Sequence, residues 1–304
     1  MSRSQLFNFM QDSYLDRTSR PVYALVFLLP LIIFYEIGTM IISPEAFTSL
    51  ASGPEVRVVS FVWVQDLLEY LGFSSRATWI IVPLVVVVIL LAMQMTSRAR
   101  WYVRLKDFFP MIIECVLLAI PLIMLSLMVN RSISEDKSQY LSANLCNRSS
   151  VTVLAADAAP EALSDEAEVA DPAVVGDKGL LVNIVTGIGA GIYEELVFRL
   201  ILICLLMIFF QDLLHVSNGS SVLLSVVISA ILFSAHHHFY FIDGRFAVAE
   251  FFSPGKFFFR FLAGIYFSFI FAVRGFGITA GTHAAYDIIA AFMNAFLFDG
   301  GAME

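Results

Sequence analysis

Residues 78–95 read TWIIVPLVVVVILLAMQM, a run without a single charge. A helix crosses the roughly 30 Å hydrocarbon core of a bilayer with about 20 apolar residues, so this run is close to spanning length. A strand of a membrane barrel would instead alternate apolar and polar residues over about 10 positions. This run does not alternate. Outward from it, residues 22–42 form a similar stretch with one charge, Glu36, and residues 108–130 form another with Glu114. Further on lie 180–210, 221–242, 257–273 with Arg260, and 277–298 with His283 and Asp287. The reading is all-α: a polytopic transmembrane helical bundle of about seven spans, within a range of six to eight.

Whole-chain composition points the same way. Of 304 residues, 59% are apolar and 14% charged. Soluble domains run near 45–50% and about 25%. An ordinary cytosolic globule, a disordered chain and a coiled coil are thereby excluded. The net charge of −8 argues against nucleic-acid binding, which wants a basic face. Cys115, Cys146 and Cys204 show no paired spacing, so neither a disulfide scaffold nor a zinc ribbon is expected.

Three regions follow. Residues 1–130 are an N-terminal membrane region with three transmembrane helices. Residues 131–179 hold nine acids against four bases among Ala and Ser, and read as an extracytoplasmic disordered linker. Residues 180–298 carry the remaining spans. Arg3, Arg17 and Arg20 precede the first span, and Arg98, Arg100, Arg104 and Lys106 follow the second. Positive-inside counting therefore puts the N-terminus in the cytoplasm. The mixed segment 56–71 (VRVVSFVWVQDLLEYL) reads as an interfacial or re-entrant helix, with Trp63 and Tyr70 at headgroup level. The run 180–210 is too long for one upright span, and Gly187, Gly189 and Gly191 mark a bend or a close helix contact.

Charges at bilayer depth are costly and are kept when paired or when they line a site. Glu36 and Glu114 stand alone, and each is expected near a span end or bonded within the bundle. The second half is denser. In YEELVFRL, Glu195 and Arg199 are spaced i, i+4 and share a helical face. Glu194 points about 100° away, a carboxylate without a local partner and so suited to act as a general base. His236, His237 and His238 end the next span, and His283 and Asp287 are again i, i+4. Glutamate with histidines is equipment for activating a water and stabilising an oxyanion.

Three ordered motifs, Glu194-Glu195-x-x-x-Arg199, Phe233-x-x-x-His237 and His283-x-x-x-Asp287, resemble the CPBP family. These are the CAAX-protease and bacteriocin-processing intramembrane proteases, also called the Abi family. The resemblance covers about residues 180–298 and implies a helical membrane endopeptidase of glutamic type. By that resemblance Glu194 activates water, Glu195 supports the site and pairs with Arg199, and His237 holds or polarises the water. His283 and Asp287 would stabilise the oxyanion. Asp287 stands where the best-studied members carry Asn. An ionised Asp cannot donate a hydrogen bond, so it must be protonated or must orient His283. The implied partners are a membrane protein or peptide substrate and the lipid bilayer. The implied location is a prokaryotic plasma (inner) membrane. No cofactor is favoured. A zinc-dependent version would use Glu194, His237 and His283, each from a separate helix, since HExxH is absent. A non-catalytic membrane immunity or binding protein of the same fold is the alternative from another class.

Overall fold

The computed structural model describes residues 10, 12–42, 58–148, 172–242, 245–248 and 252–298, with backbone alone at 130–148, 172–178, 239–242, 245–248 and 297–298. Its elements are α1 (Tyr14–Thr18), α2 (Pro21–Ile42), α3 (Val59–Tyr70), α4 (Ser75–Ser97), α5 (Phe108–Arg148) and α6 (Pro172–Glu195). A π-helical stretch, Leu196–Leu202, carries α6 into α7 (Ile203–Ile208) and a second π turn, Phe209–Leu213. Then come α8 (Asn218–His236), a hairpin of β1 (Phe239–Ile242) and β2 (Arg245–Val248), α9 (Pro254–Arg274) and α10 (Phe276–Met293).

The quoted run shows why these sequences fold as they do. In α4, Val82, Val86 and Leu90 recur every fourth residue and are buried, while Ile80, Leu84 and Val88 on the opposite stripe are 75%, 50% and 54% exposed. In water that outer stripe would be an aggregation surface. Against lipid it costs nothing, because acyl tails are as apolar as leucine. Among the described residues, six helices are long and apolar enough to cross a membrane: Pro21–Ile42, Ser75–Ser97, Leu105–Val129, Gly179–Leu213, Asn218–His236 and Pro254–Arg274. The expected last span, 277–298, is not among them. Its helix α10 is the buried axis of the bundle, packed on α6, α5 and α2, and polar residues such as Thr279, Thr282 and His283 sit on its buried face.

One end of the bundle is tied by ion pairs. Arg17 pairs with Asp107 at 2.9 Å, Tyr23 donates to Asp107 at 2.8 Å, and Arg20 pairs with Asp16 at 2.7 Å. Arg274, at the end of α9, donates to Glu114 at 2.8 Å and to the Leu15 carbonyl at 3.0 Å. Tyr14 donates to Glu114 as well, at 2.8 Å. Burial, with the carboxylate beside it, raises the Tyr14 hydroxyl above its ordinary pKa. The Val22 amide donates to Gln94 at 3.1 Å. This end therefore gathers α1, the starts of α2 and α5, and the ends of α4 and α9. Glu114 is bonded within the bundle, and so is Glu36, which accepts from Tyr193 at 3.2 Å.

Several boundaries differ from the sequence reading. The stretch read as a disordered linker, 131–179, is helical to Arg148 and again from Pro172. Its middle, 149–171, lies outside the described residues. Residues 221–242 are one helix only to His236, after which the chain turns into the hairpin. The segment 56–71 is not merely interfacial. Its helix α3 packs on α4 and α6, Phe61 is buried against Tyr35 and Tyr193, and Trp63 meets Phe198 and His236. Only Tyr70, 88% exposed, is free to lie at an interface.

Candidate active site

The glycines of α6 set the geometry. A Cβ on Gly191 would stand 2.6 Å from the Ala284 amide nitrogen and 2.8 Å from the Ala280 carbonyl; one on Gly187 would stand 2.6 Å from Asp287 Cβ. The expected close helix contact is present, and it is with α10. The departure from regular α-helix comes later, in the π stretch that begins at Leu196. There Ser229 of α8 donates to the Phe198 carbonyl at 2.7 Å.

Backbones this close bring Glu194 and Glu195 of α6 against His283 of α10. Glu195 accepts from His283 Nδ1 at 2.7 Å, and its other oxygen pairs with Arg199 Nε at 3.1 Å. Glu195 and Arg199 are both fully buried. The Arg199 guanidinium lies 4.0 Å from the centre of the Phe233 ring, a contact worth about 2 kcal/mol when desolvated. Glu194 faces elsewhere, as its helical angle requires. Its carboxylate oxygens lie 3.4 Å from His236 Nε2, 3.9 Å from His237 Nε2 and 3.9 Å from His283 Nε2. Asp287 comes within 3.5 Å of His283 Nε2, and Phe267 stacks on the His283 ring at 4.5 Å.

The hydrogen bonds fix proton positions. His236 and His237 both turn Nδ1 to the Phe233 carbonyl, at 2.5 and 2.9 Å. A carbonyl only accepts, so each Nδ1 carries the proton. In the neutral rings each Nε2 is then a lone pair aimed toward Glu194. Acceptors converging on acceptors need a proton-bearing or cationic species between them. A water fits, and so does a metal ion. His283 Nδ1–H is held by Glu195, so donation from its Nε2 requires the ring to carry both protons.

All six residues singled out in the sequence, Glu194, Glu195, Arg199, His237, His283 and Asp287, come together. The sequence pattern Phe233-x-x-x-His237 passed over His236, which lies closer to Glu194 than His237 does. The third histidine, His238, is buried against Phe252 and Phe257 instead. Among the described residues, the group whose ligand atoms lie within 4.8 Å of one another is Glu194, His236 and His237. The metal set read from the sequence, Glu194, His237 and His283, shares Glu194 and His237 with this group. A cavity of about 310 Å³ opens beside these groups, lined by His237, His283 and Asp287 on one wall and by Lys256, Arg260 and Phe259 of α9 on another.

Residues 177–289 match the Rce1-like family. The family is described as type II CAAX prenyl endopeptidase Rce1-like. The matched stretch holds every group described above at the site, and the CPBP resemblance of the sequence is borne out over it. The likeness covers residues 177–289 of the 304, and the apolar helices make the chain an integral membrane protein. No curated protein and no solved structure gives a significant match.

Proposed function

We propose that the protein is an intramembrane endopeptidase of glutamic type that hydrolyses a peptide bond in or beside the bilayer. The observation that carries this reading is the convergence of the His236 and His237 Nε2 atoms on the Glu194 carboxylate, with both rings anchored through Nδ1. A water there donates one proton to Glu194 and the other to a histidine lone pair. Glu194 takes the first proton as the water oxygen attacks the carbonyl carbon of the substrate, and later delivers it to the leaving amine. His283, carrying both protons, donates from Nε2 to the developing oxyanion. Asp287 lies beside the same Nε2; it accepts that N–H while no substrate is bound and yields it to the oxyanion. Glu195 holds the ring from its far side, and Arg199 balances Glu195. No acyl-enzyme forms.

A second reading rests on the same convergence. Zinc fits Glu194, His236 and His237, since Nδ1 anchoring leaves Nε2 as the ligand atom, the usual arrangement of a metal-bound histidine. When bound, zinc would supply Lewis acidity and a water of pKa about 7. The substrate in either reading is a membrane protein or peptide. The location proposed is a prokaryotic inner membrane, with the ion-paired end and the N-terminus in the cytoplasm.

The test is cleavage of a quenched membrane-peptide library by purified protein in detergent. Glu194→Gln should lower cleavage at least about 100-fold, the usual scale for a lost general base, and EDTA should leave the wild type unchanged. Loss with EDTA restored by zinc would establish the metal version instead. Cleavage that survives in folded Glu194→Gln would overturn both readings of Glu194. Function retained by that variant is what the non-catalytic alternative requires.

A further inference from the structure

The ion-paired end of the bundle carries a surplus of positive charge. Among the described residues there, Arg17, Arg20, Arg104 and Arg274 each meet a carboxylate. Arg98, Arg100 and Lys106 are exposed and stand in no ion pair among the described residues. Trp101, Tyr102 and Leu105 between them are exposed as well. The stretch RARWYVRLK, residues 98–106, thus has the basic and aromatic make-up of a strip at headgroup level. Beside it lies a cleft of about 200 Å³ that the site does not use. Pro21 of α2, Leu90 and Met93 of α4, Phe271 and Ala272 of α9 and Phe276 of α10 line it. Three of those helices, α2, α4 and α9, are long and apolar enough to span the membrane. Gln94 ties the strip to the cleft. It follows Met93 in the chain and accepts from the Val22 amide, next to Pro21, at 3.1 Å. It also donates to the Ala99 carbonyl at 2.9 Å, across the left-handed turn that ends α4 at Arg98.

We propose that the cleft seats one acyl chain of an anionic phospholipid whose phosphate is held by Arg98 and Arg100. The depths agree. Arg98 lies five residues after Met93, about 7.5 Å along a helix, and the headgroup layer on each side of the hydrocarbon is about 5–7 Å thick. The size agrees too. The cleft is smaller than a pocket for a drug-sized ligand, about 300–1,000 Å³, and the side chains named above are apolar. It takes a length of one hydrocarbon chain and no folded partner. A guanidinium offers paired donors that match phosphate oxygens. A free phosphate would leave the apolar cleft unused, so the lipid is the occupant. The positive-inside rule turns this end to the cytoplasmic leaflet, where anionic headgroups attract basic strips. A lipid seated here would join α4 to α2 and to α9, and the inference does not depend on the protease reading. The competing account is diffuse attraction: the strip would favour any anionic surface and would have no need of the cleft.

The experiment is native mass spectrometry of the full chain in a neutral detergent, with a thermal melt as the check on folding. Palmitoyl-oleoyl phosphatidylglycerol and phosphatidylcholine, which differ only in their heads, are titrated separately. The wild type should hold its first phosphatidylglycerol about 25-fold more tightly than its first phosphatidylcholine, at about fivefold for each of two basic residues beside an anionic head. The double variant Arg98→Asn/Arg100→Gln should bring that ratio near one; asparagine tolerates the left-handed backbone at the first position. Ala272 is exposed and lines the cleft, so Ala272→Phe plugs it and should weaken the first site for both lipids by about tenfold. If that variant does not fold, Met93→Phe on the facing wall takes its place. Arg76→Gln, which removes a cation at the other end of α4, should change neither lipid. Inorganic phosphate should not compete. A wild type that holds both lipids alike overturns the proposal, and so does a double variant that keeps the ratio. Phosphatidylglycerol binding that survives the plug, or that Arg76→Gln weakens equally, establishes diffuse attraction instead. Competition by inorganic phosphate would show an anion site without a lipid seat and would overturn it as well.

Discussion

Glu195 serves two neighbours at once, holding His283 with one oxygen and Arg199 with the other. Replacing it with Gln keeps an acceptor but leaves the buried Arg199 without its ion-pair partner. Breaking a buried pair this way costs about 3–5 kcal/mol, so Glu195→Gln should melt at a distinctly lower temperature and lose turnover as well. Arg199→Lys should not rescue, since an ammonium cannot both meet the carboxylate and lie flat on Phe233 as a guanidinium does; a thermal melt of the purified variant checks this. At the histidine run, His236→Asn and His237→Asn should each lower kcat by about tenfold or more at preserved folding. A loss confined to His237→Asn would return the role to the residue the motif spacing selects. The i, i+4 pairs Glu195/Arg199 and His283/Asp287 were legible in the sequence because helical period alone sets them. The choice among three consecutive histidines was not. It depends on where α8 ends and which rings reach the Phe233 carbonyl, and spacing cannot say that.

Helices α6 and α10 approach so closely at Gly191 that the obstacle to a Cβ is backbone, not a side chain that can turn away. Gly191→Ala must separate the helix that bears Glu194 and Glu195 from the helix that bears His283. The expected cost is about 1–3 kcal/mol of stability, together with loss of cleavage. Gly219→Ala, in the first turn of α8 where a Cβ meets nothing within 4 Å, should keep or slightly raise the melting temperature. A parallel melt of the two variants separates close packing from any general intolerance of glycine replacement. The sequence announced the glycines and even the contact they make. It gave no sign of the π stretch at Leu196–Leu202, because an extra residue per turn leaves no mark on hydrophobic pattern when every face is apolar. The same blindness hid the packing of α3: a segment with mixed polarity reads alike whether it lies on a bilayer or caps a site.

The bundle has two distinct ends. Arg17, Arg20, Asp107 and Arg274 mark one; the start of α9 and the end of α8 mark the other. Single cysteines at Lys106 and at Lys256 should be labelled by a membrane-impermeant thiol reagent from opposite sides, with Lys106 on the cytoplasmic side by the positive-inside rule. Labelling of both from one side would break the assigned span order. Span existence was legible here because a bilayer crossing needs about 20 apolar residues; that α10 turns a polar face into the bundle was not, because composition does not say which neighbour a face meets. The contacts of Arg274 carry a wider consequence. This residue ends α9, the helix that walls the site, yet Leu15, Thr18, Ser19 and Glu114 hold it, and none of those lies within the matched 177–289 stretch. The family segment is thus a sequence unit without being a folding unit. Cut free, it would strand a buried guanidinium and bare the faces of α6 and α10 that α2 covers. Any altered version of the first 130 residues that still folds must keep supplying that clasp.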